Sequence, residues 1–277
     1  MHGNLFLYDF EYKLVAFQSG SLSSTRCFIL LGGLTDGLLS LPYVEKLSSK
    51  LESLSKPYSL IQPLLRSSNL QYGWHTIDHD IEDLQKLIDY LITNINNLES
   101  IILMGHSTGC QDIIHYLRQG KINSKISQVI LQGPVSDRQY LCRLSSTKDQ
   151  LNYCYQNKQN LNEWLPRYLH EPPLTIQRCL SFNQINSIED LFSSDLNDQQ
   201  LKDIYQNIQI PIIWICSKQD EYVPDDIKDE VIDFIQNKLS KQTNNSTFIL
   251  LENADHAVND EQQQIYMIEQ IISSINK

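Results

Sequence analysis

The chain has 277 residues and a formal charge of −11. That length suits one large α/β domain or two small ones, and a domain of this size needs no metal or disulfide staple to hold its core. The acidic balance excludes a nucleic-acid or anionic-membrane surface, since either would require a basic face.

The predicted elements follow in chain order. Residues 5–8 and 13–17 read as an opening hairpin. Residues 26–31 form a continuous apolar run of the kind found in central parallel strands. Gly32-Gly33 breaks it, a helix begins within 42–47, and residues 58–64 give another strand. Residues 80–88 open a long amphipathic helix whose first-turn acids suit the helix dipole. The apolar segment 100–104 then leads into a helix over 110–117, with a sixth strand at 127–131. From about Pro134 to Asn207 the strand rhythm stops. That stretch is polar, has helical spacing over 151–161 and 201–208, and is broken by Pro172-Pro173. A strand at 211–216, a helix over 226–239, a strand at 247–251 and a closing helix over 261–275 complete the pattern.

Alternating β and α elements with short apolar strands imply an α/β fold, a mostly parallel central sheet with helices on both faces. The middle segment is too long for an ordinary loop and too polar for a core element. It is therefore expected to be a helical lid, about residues 134–207, inserted into a single domain whose core is 1–133 and 208–277.

Between the strand at 100–104 and the helix at 110–117 stands Gly105-His106-Ser107-Thr108-Gly109. Strand, G-x-S-x-G, helix is the nucleophile elbow of α/β-hydrolases, a strained turn that lifts the serine hydroxyl off the sheet edge. A serine hydroxyl needs a base to take its proton and an acid to orient that base. In this fold the order along the chain is Ser, then Asp or Glu, then His. Asp220 stands just past a strand end, in the setting Asp220-Glu221-Tyr222-Val223-Pro224. Glu221 reads as a solvated neighbour, and Asp225 and Asp226 as first-turn acids of the next helix. Of seven histidines, His256 alone has both the chain order and the loop between the last strand and the last helix. The oxyanion donors are expected to be the backbone N–H groups of Thr108 and of Leu34, with Gly33 as the fallback.

With these residues placed, nearly the whole chain resembles an α/β-hydrolase family that includes fungal siderophore (fusarinine-type) esterases. The similar stretches are Leu31-Gly32-Gly33-Leu34-Thr35-Asp36-Gly37-Leu38-Leu39, Met104-Gly105-His106-Ser107-Thr108-Gly109-Cys110-Gln111-Asp112 and Gly133-Pro134-Val135-Ser136-Asp137-Arg138. Ser107, Asp220 and His256 match the family's triad positions. The resemblance implies ester hydrolysis, in the fungal members of hydroxamate siderophores. Gly73-Trp74-His75 is similar to a family loop near the site, with His75 where the family pattern has glycine.

The function expected is that of a serine hydrolase cleaving a carboxylic ester through an acyl-enzyme, with a siderophore-type ester among its substrates. A thioesterase, amidase or acyltransferase would use the same triad, and a non-catalytic binding module would usually have lost one of its members. Gly33, Trp74, His106, Arg138 and Tyr140 are the expected substrate contacts. No cofactor is implied, and the partner is a small-molecule ester. The six cysteines show no C-x-x-C pair or Cys/His cluster, so no metal site is expected. Asp9 and Glu11 interrupt the first dozen residues, and no run approaches the ~18 apolar residues of a membrane helix. The expectation is a cytoplasmic protein without a leader or membrane span.

Overall fold

The structure, a computed structural model, describes residues 1–120 and 124–275. Successive side chains of a strand point to opposite faces, and this period of two assigns each apolar residue to a layer. In β3 (Arg26–Leu31), Cys27, Ile29 and Leu31 join one core and Phe28 and Leu30 the other. β5 (Ser100–His106) repeats the division, with Ile101 and Leu103 opposite Ile102 and Met104. Both are buried on both faces, which is why they read as continuous apolar runs.

The remaining strands are β1 (Gly3–Asp9), β2 (Leu14–Gly20), β4 (Ser59–Pro63), β6 (Ile126–Gln132), β7 (Ile212–Ser217) and β8 (Thr247–Leu251). They assemble in the order β1-β2-β4-β3-β5-β6-β7-β8. β1 and β2 form the expected hairpin, and β2 also runs antiparallel to β4. All other neighbours are parallel. One face is covered by α1 (Val44–Glu52) and α9 (Glu261–Ile275). The other is covered by α2 (Ile77–Asn94), α3 (Thr108–Arg118) and α8 (Lys228–Asn237). This is the α/β-hydrolase architecture. α2 starts three residues before the acids that suggested it, because Thr76 and His79 close a capping box at its N-terminus.

The expectation of one lid over residues 134–207 needs correcting. The segment carries α4 (Asp137–Leu141), α5 (Thr147–Gln156), α6 (Ile176–Asn183) and α7 (Asp198–Tyr205). Cys154, Leu174, Ile176, Cys179 and Phe182 form a small core of their own with Tyr72. Beyond Glu189 the chain returns to the main core instead, where Leu191, Phe192, Leu201, Ile204 and Tyr205 are all buried. The rings of Phe192 and Tyr205 lie 6.2 and 6.1 Å from that of Trp214 in β7. α7 is polar in composition yet buries one apolar stripe, so average polarity was a poor guide to its place. The two parts are pinned together at Arg178, which is buried, donates to Tyr72 O at 2.8 Å and pairs with buried Glu189.

Candidate active site

The C-terminal ends of β3, β5, β6, β7 and β8 lie along one sheet edge, where open α/β sheets collect their functional loops. β5 ends at His106, and the chain turns so sharply into α3 that Ser107 sits at φ 54°, ψ −123°. A non-glycine residue held there stores about 1–3 kcal/mol of strain. The two glycines of the elbow are dictated by close approach. A β-carbon on Gly105 would stand 2.4 Å from the Gly109 carbonyl oxygen, and one on Gly109 would stand 2.7 Å from those of Leu31 and Gly32. The turn is tied down by Ser107 N–H, which donates to Gln132 O at 3.0 Å.

Thr108 is the first residue of α3, so its N–H belongs to the helix-terminal donors that have no partner within the helix. In the turn after β3, Gly33 N–H donates to Asp36 Oδ2 at 2.7 Å. Gly33, the fallback donor, is thereby occupied, while Leu34, the next residue, borders the same cavity as Thr108.

Asp220 and His256 come from the loops after β7 and β8, and both are buried. His256 Nδ1 lies 2.7 Å from Asp220 Oδ2, while Asp220 Oδ1 accepts the Tyr222 N–H at 2.9 Å. Facing a carboxylate, Nδ1 is the nitrogen that carries the proton, which leaves the Nε2 lone pair free. Nε2 is buried and has no hydrogen-bond partner, Ser107 Oγ included. Burial works against the charged imidazolium, but the Asp220 hydrogen bond and charge outweigh it, aided by Glu221 and Asp137, so the His256 pKa is raised above 6.5.

The ring of His256 is held between two others. His106 packs at 4.8 Å between centroids, and Tyr222 meets it edge-on at 4.7 Å. Burial pushes the His106 pKa down to about 3, and the neighbouring His256 adds to this against the opposing hydrogen bond to Gln132. It is therefore neutral against the His256 ring. The other acids near the loop are occupied. Glu221 accepts the His256 N–H at 3.0 Å, Asp225 pairs with Lys228 and Asp226 with Arg143.

Ser107 and His256 border a cavity of about 620 Å³, within the usual range of small-molecule sites. Gly33, Leu34, His106, Thr108 and Tyr140 border it too, and its outer wall comes from Leu141, Leu144, Leu169 and Phe182 of the inserted segment. Two expected contacts lie elsewhere. Trp74 is exposed and stacks on Trp164 at 5.3 Å, and Arg138 is turned away to Asp190, at 3.0 Å, and Asp195. Resemblance to a family loop put Trp74 beside the site and its place after the sixth strand put Arg138 there, whereas partners from the inserted segment decide where they point. His75 packs its ring against His79 and does not border the cavity. Among the described residues, no group of His, Cys, Asp or Glu is arranged to hold a metal ion, and no helix is long and apolar enough to cross a membrane.

Sequence reasoning missed Gln132, which touches the His106 ring, the His256 backbone and Tyr43. The one signal available was a polar residue directly after the apolar run Val129-Ile130-Leu131.

A family described as a protein of unknown function (DUF1749) matches residues 2–276. The chain belongs to this family. A UPF0613 protein of Schizosaccharomyces pombe is 30% identical over 285 residues, covering 91% of this chain and 89% of its own. Fusarinine C esterase sidJ of Aspergillus fumigatus is 25% identical over 248 residues, 70% of each chain. Among solved structures, siderophore hydrolase EstB from Aspergillus fumigatus matches with a TM-score of 0.76 at 23% identity, over 100% of this chain and 97% of that one. Est1E from Butyrivibrio proteoclasticus matches with a TM-score of 0.65 at 14% identity, over the full length of both. The structural likenesses share the α/β-hydrolase fold, and relatives named as esterases support a hydrolase of this DUF1749 family.

Proposed function

We propose that this protein is a serine hydrolase that cleaves carboxylic esters through an acyl-enzyme, with Ser107 as nucleophile, His256 as base and Asp220 as the acid that orients it. The observation that carries this reading is the state of His256. Its Nδ1 is fixed on Asp220 at 2.7 Å, and its Nε2, buried and unpartnered, belongs to a ring that borders the same cavity as Ser107.

In this mechanism a substrate carbonyl enters beneath the first part of the inserted segment, whose Leu141, Leu144, Leu169 and Phe182 wall the cavity and which serves as the lid. Ser107 Oγ attacks as Nε2 takes its proton. The developing oxyanion accepts from the N–H groups of Thr108 and Leu34, each worth about 3 kcal/mol in sites of this kind. The imidazolium returns its proton to the leaving alcohol, and a water then repeats the sequence to release the acid. His106, neutral against the base, adds no charge to repel the imidazolium. The cavity's volume and the esterase-named relatives favour a bulky ester, and a siderophore-type ester is the substrate class proposed. The six free thiols suit a reducing, cytoplasmic compartment.

The test is turnover of a short activated ester by Ser107→Ala. A loss of several orders of magnitude in a folded variant is expected. Retained turnover would refute the assignment.

A further inference from the structure

Gln132 closes β6, and its neighbours on either side are His106 at the end of the nucleophile strand and Ile215 in the strand that leads to Asp220. It is completely buried. A buried side-chain amide must find partners for both its N–H₂ and its C=O, and those partners fix its orientation.

The C=O of His256 admits only a donor, so the Gln132 amide nitrogen must be the atom 2.9 Å from it. Oε1 therefore faces the other way and accepts the Tyr43 hydroxyl at 3.1 Å. It also lies 2.6 Å from His106 Nδ1, which must then carry the proton. The main chain of the same residue accepts Ser107 N–H at 3.0 Å. One residue thus holds the nucleophile's turn through its backbone and the base's loop through its side chain. The other main-chain group of His256, its N–H, is held by Glu221 at 3.0 Å. With the backbone of His256 clamped at both groups and its ring gripped by Asp220, the direction of Nε2 is set from three sides.

We propose that Gln132 is a positioning residue: its amide N–H, donated to the His256 carbonyl, registers the base against the nucleophile elbow. This rests on the reading of Ser107 and His256 given above. Gln132 does not border the substrate cavity, so its removal should leave substrate binding alone and slow the chemistry. A displacement of the base on the order of 1 Å costs about 10²-fold in rate.

Gln132→Met keeps the length of the side chain and the main-chain bond to Ser107, and deletes only the amide. With a short activated ester, kcat is expected to fall about 10- to 100-fold while KM stays within about twofold. A folded variant with unchanged kcat, or a loss carried wholly by KM, would overturn the proposal. A second measurement uses the wild-type protein and does not depend on that variant folding. In ¹⁵N-histidine spectra, the signal lost in His106→Asn should report a neutral ring protonated on Nδ1. A ring protonated on Nε2 would mean that the amide is reversed and the contact with His256 absent, which overturns the proposal as well. Neither outcome is confused with failure of the nucleophile assignment, which Ser107→Ala reads separately.

Discussion

Replacing Gly133 with alanine perturbs the proposed base while replacing none of the groups proposed to react. Gly133 follows β6 at φ +63°, and a β-carbon there would stand 3.0 Å from His256 Cε1 and 3.1 Å from Nδ1. Ordinary contact begins near 3.4 Å, so the imidazole must shift by about 0.4 Å, against the rings of His106 and Tyr222 that pack on it. If about 1 Å of misplacement costs 10²-fold, 0.4 Å costs roughly 6- to 10-fold, or about 1.1–1.4 kcal/mol in the barrier. The left-handed backbone adds about 1–2 kcal/mol of destabilisation. The narrower unfolded ensemble of alanine returns about 0.4–1 kcal/mol of that. Steady-state kinetics on a p-nitrophenyl ester and urea unfolding measure the two effects on one sample. A variant destabilised by about 1 kcal/mol whose kcat/KM equals that of the wild type would refute the placement of the base beside Gly133.

The remaining expectations concern pH and charge. Imidazolium cannot accept the Ser107 proton, and the His256 pKa is raised, so kcat/KM should fall on acidification with a midpoint above 6.5. Asp220→Asn removes the hydrogen-bonded charge that holds that pKa up. Its acidic limb should move to lower pH and its kcat should drop on the order of 10³- to 10⁴-fold, and an unmoved limb would count against the pairing. The acidic side chains bordering the cavity are Asp36, Asp137, Glu171 and Glu221, with no Lys or Arg among the bordering residues. Burial raises the Asp36 pKa and pushes that of Asp137 up to about 7, so Asp137 is not fully charged near neutral pH. A carboxylate about 8 Å from one such charge is disfavoured by about 2 kcal/mol at an effective dielectric of 20. Neutral esters should therefore exceed matched carboxylate-bearing esters about 30-fold in kcat/KM at low salt. Equal rates at low salt would contradict that reading of the lining.

What the sequence made legible follows from how far each signal reaches along the chain. β3 and β5 could be read because burial on both faces makes their centres, Cys27 to Leu31 and Ile101 to Met104, continuously apolar, a pattern complete within six or seven positions. The elbow was legible because its glycines answer clashes with residues a few positions away or in the strand beside it. Asp220 and His256 could be assigned to the loops after β7 and β8 because the order of strands and loops along the chain is set by the fold. α7 was misread, since Leu201, Ile204 and Tyr205 are an apolar stripe within a polar stretch. Arg138 and Trp74 were misplaced because Asp190, Asp195 and Trp164 decide their directions from 52 or more residues away. Gln132 went unnoticed for the same reason, as its side-chain partner His256 lies 124 positions further on.

The most direct measurement is covalent trapping. Incubation with a fluorophosphonate followed by peptide mass spectrometry should place a single adduct on Ser107, formed by the wild type, absent from Ser107→Ala and much slowed in His256→Gln. An adduct on another side chain, or none in a folded and ester-cleaving wild type, would contradict the account.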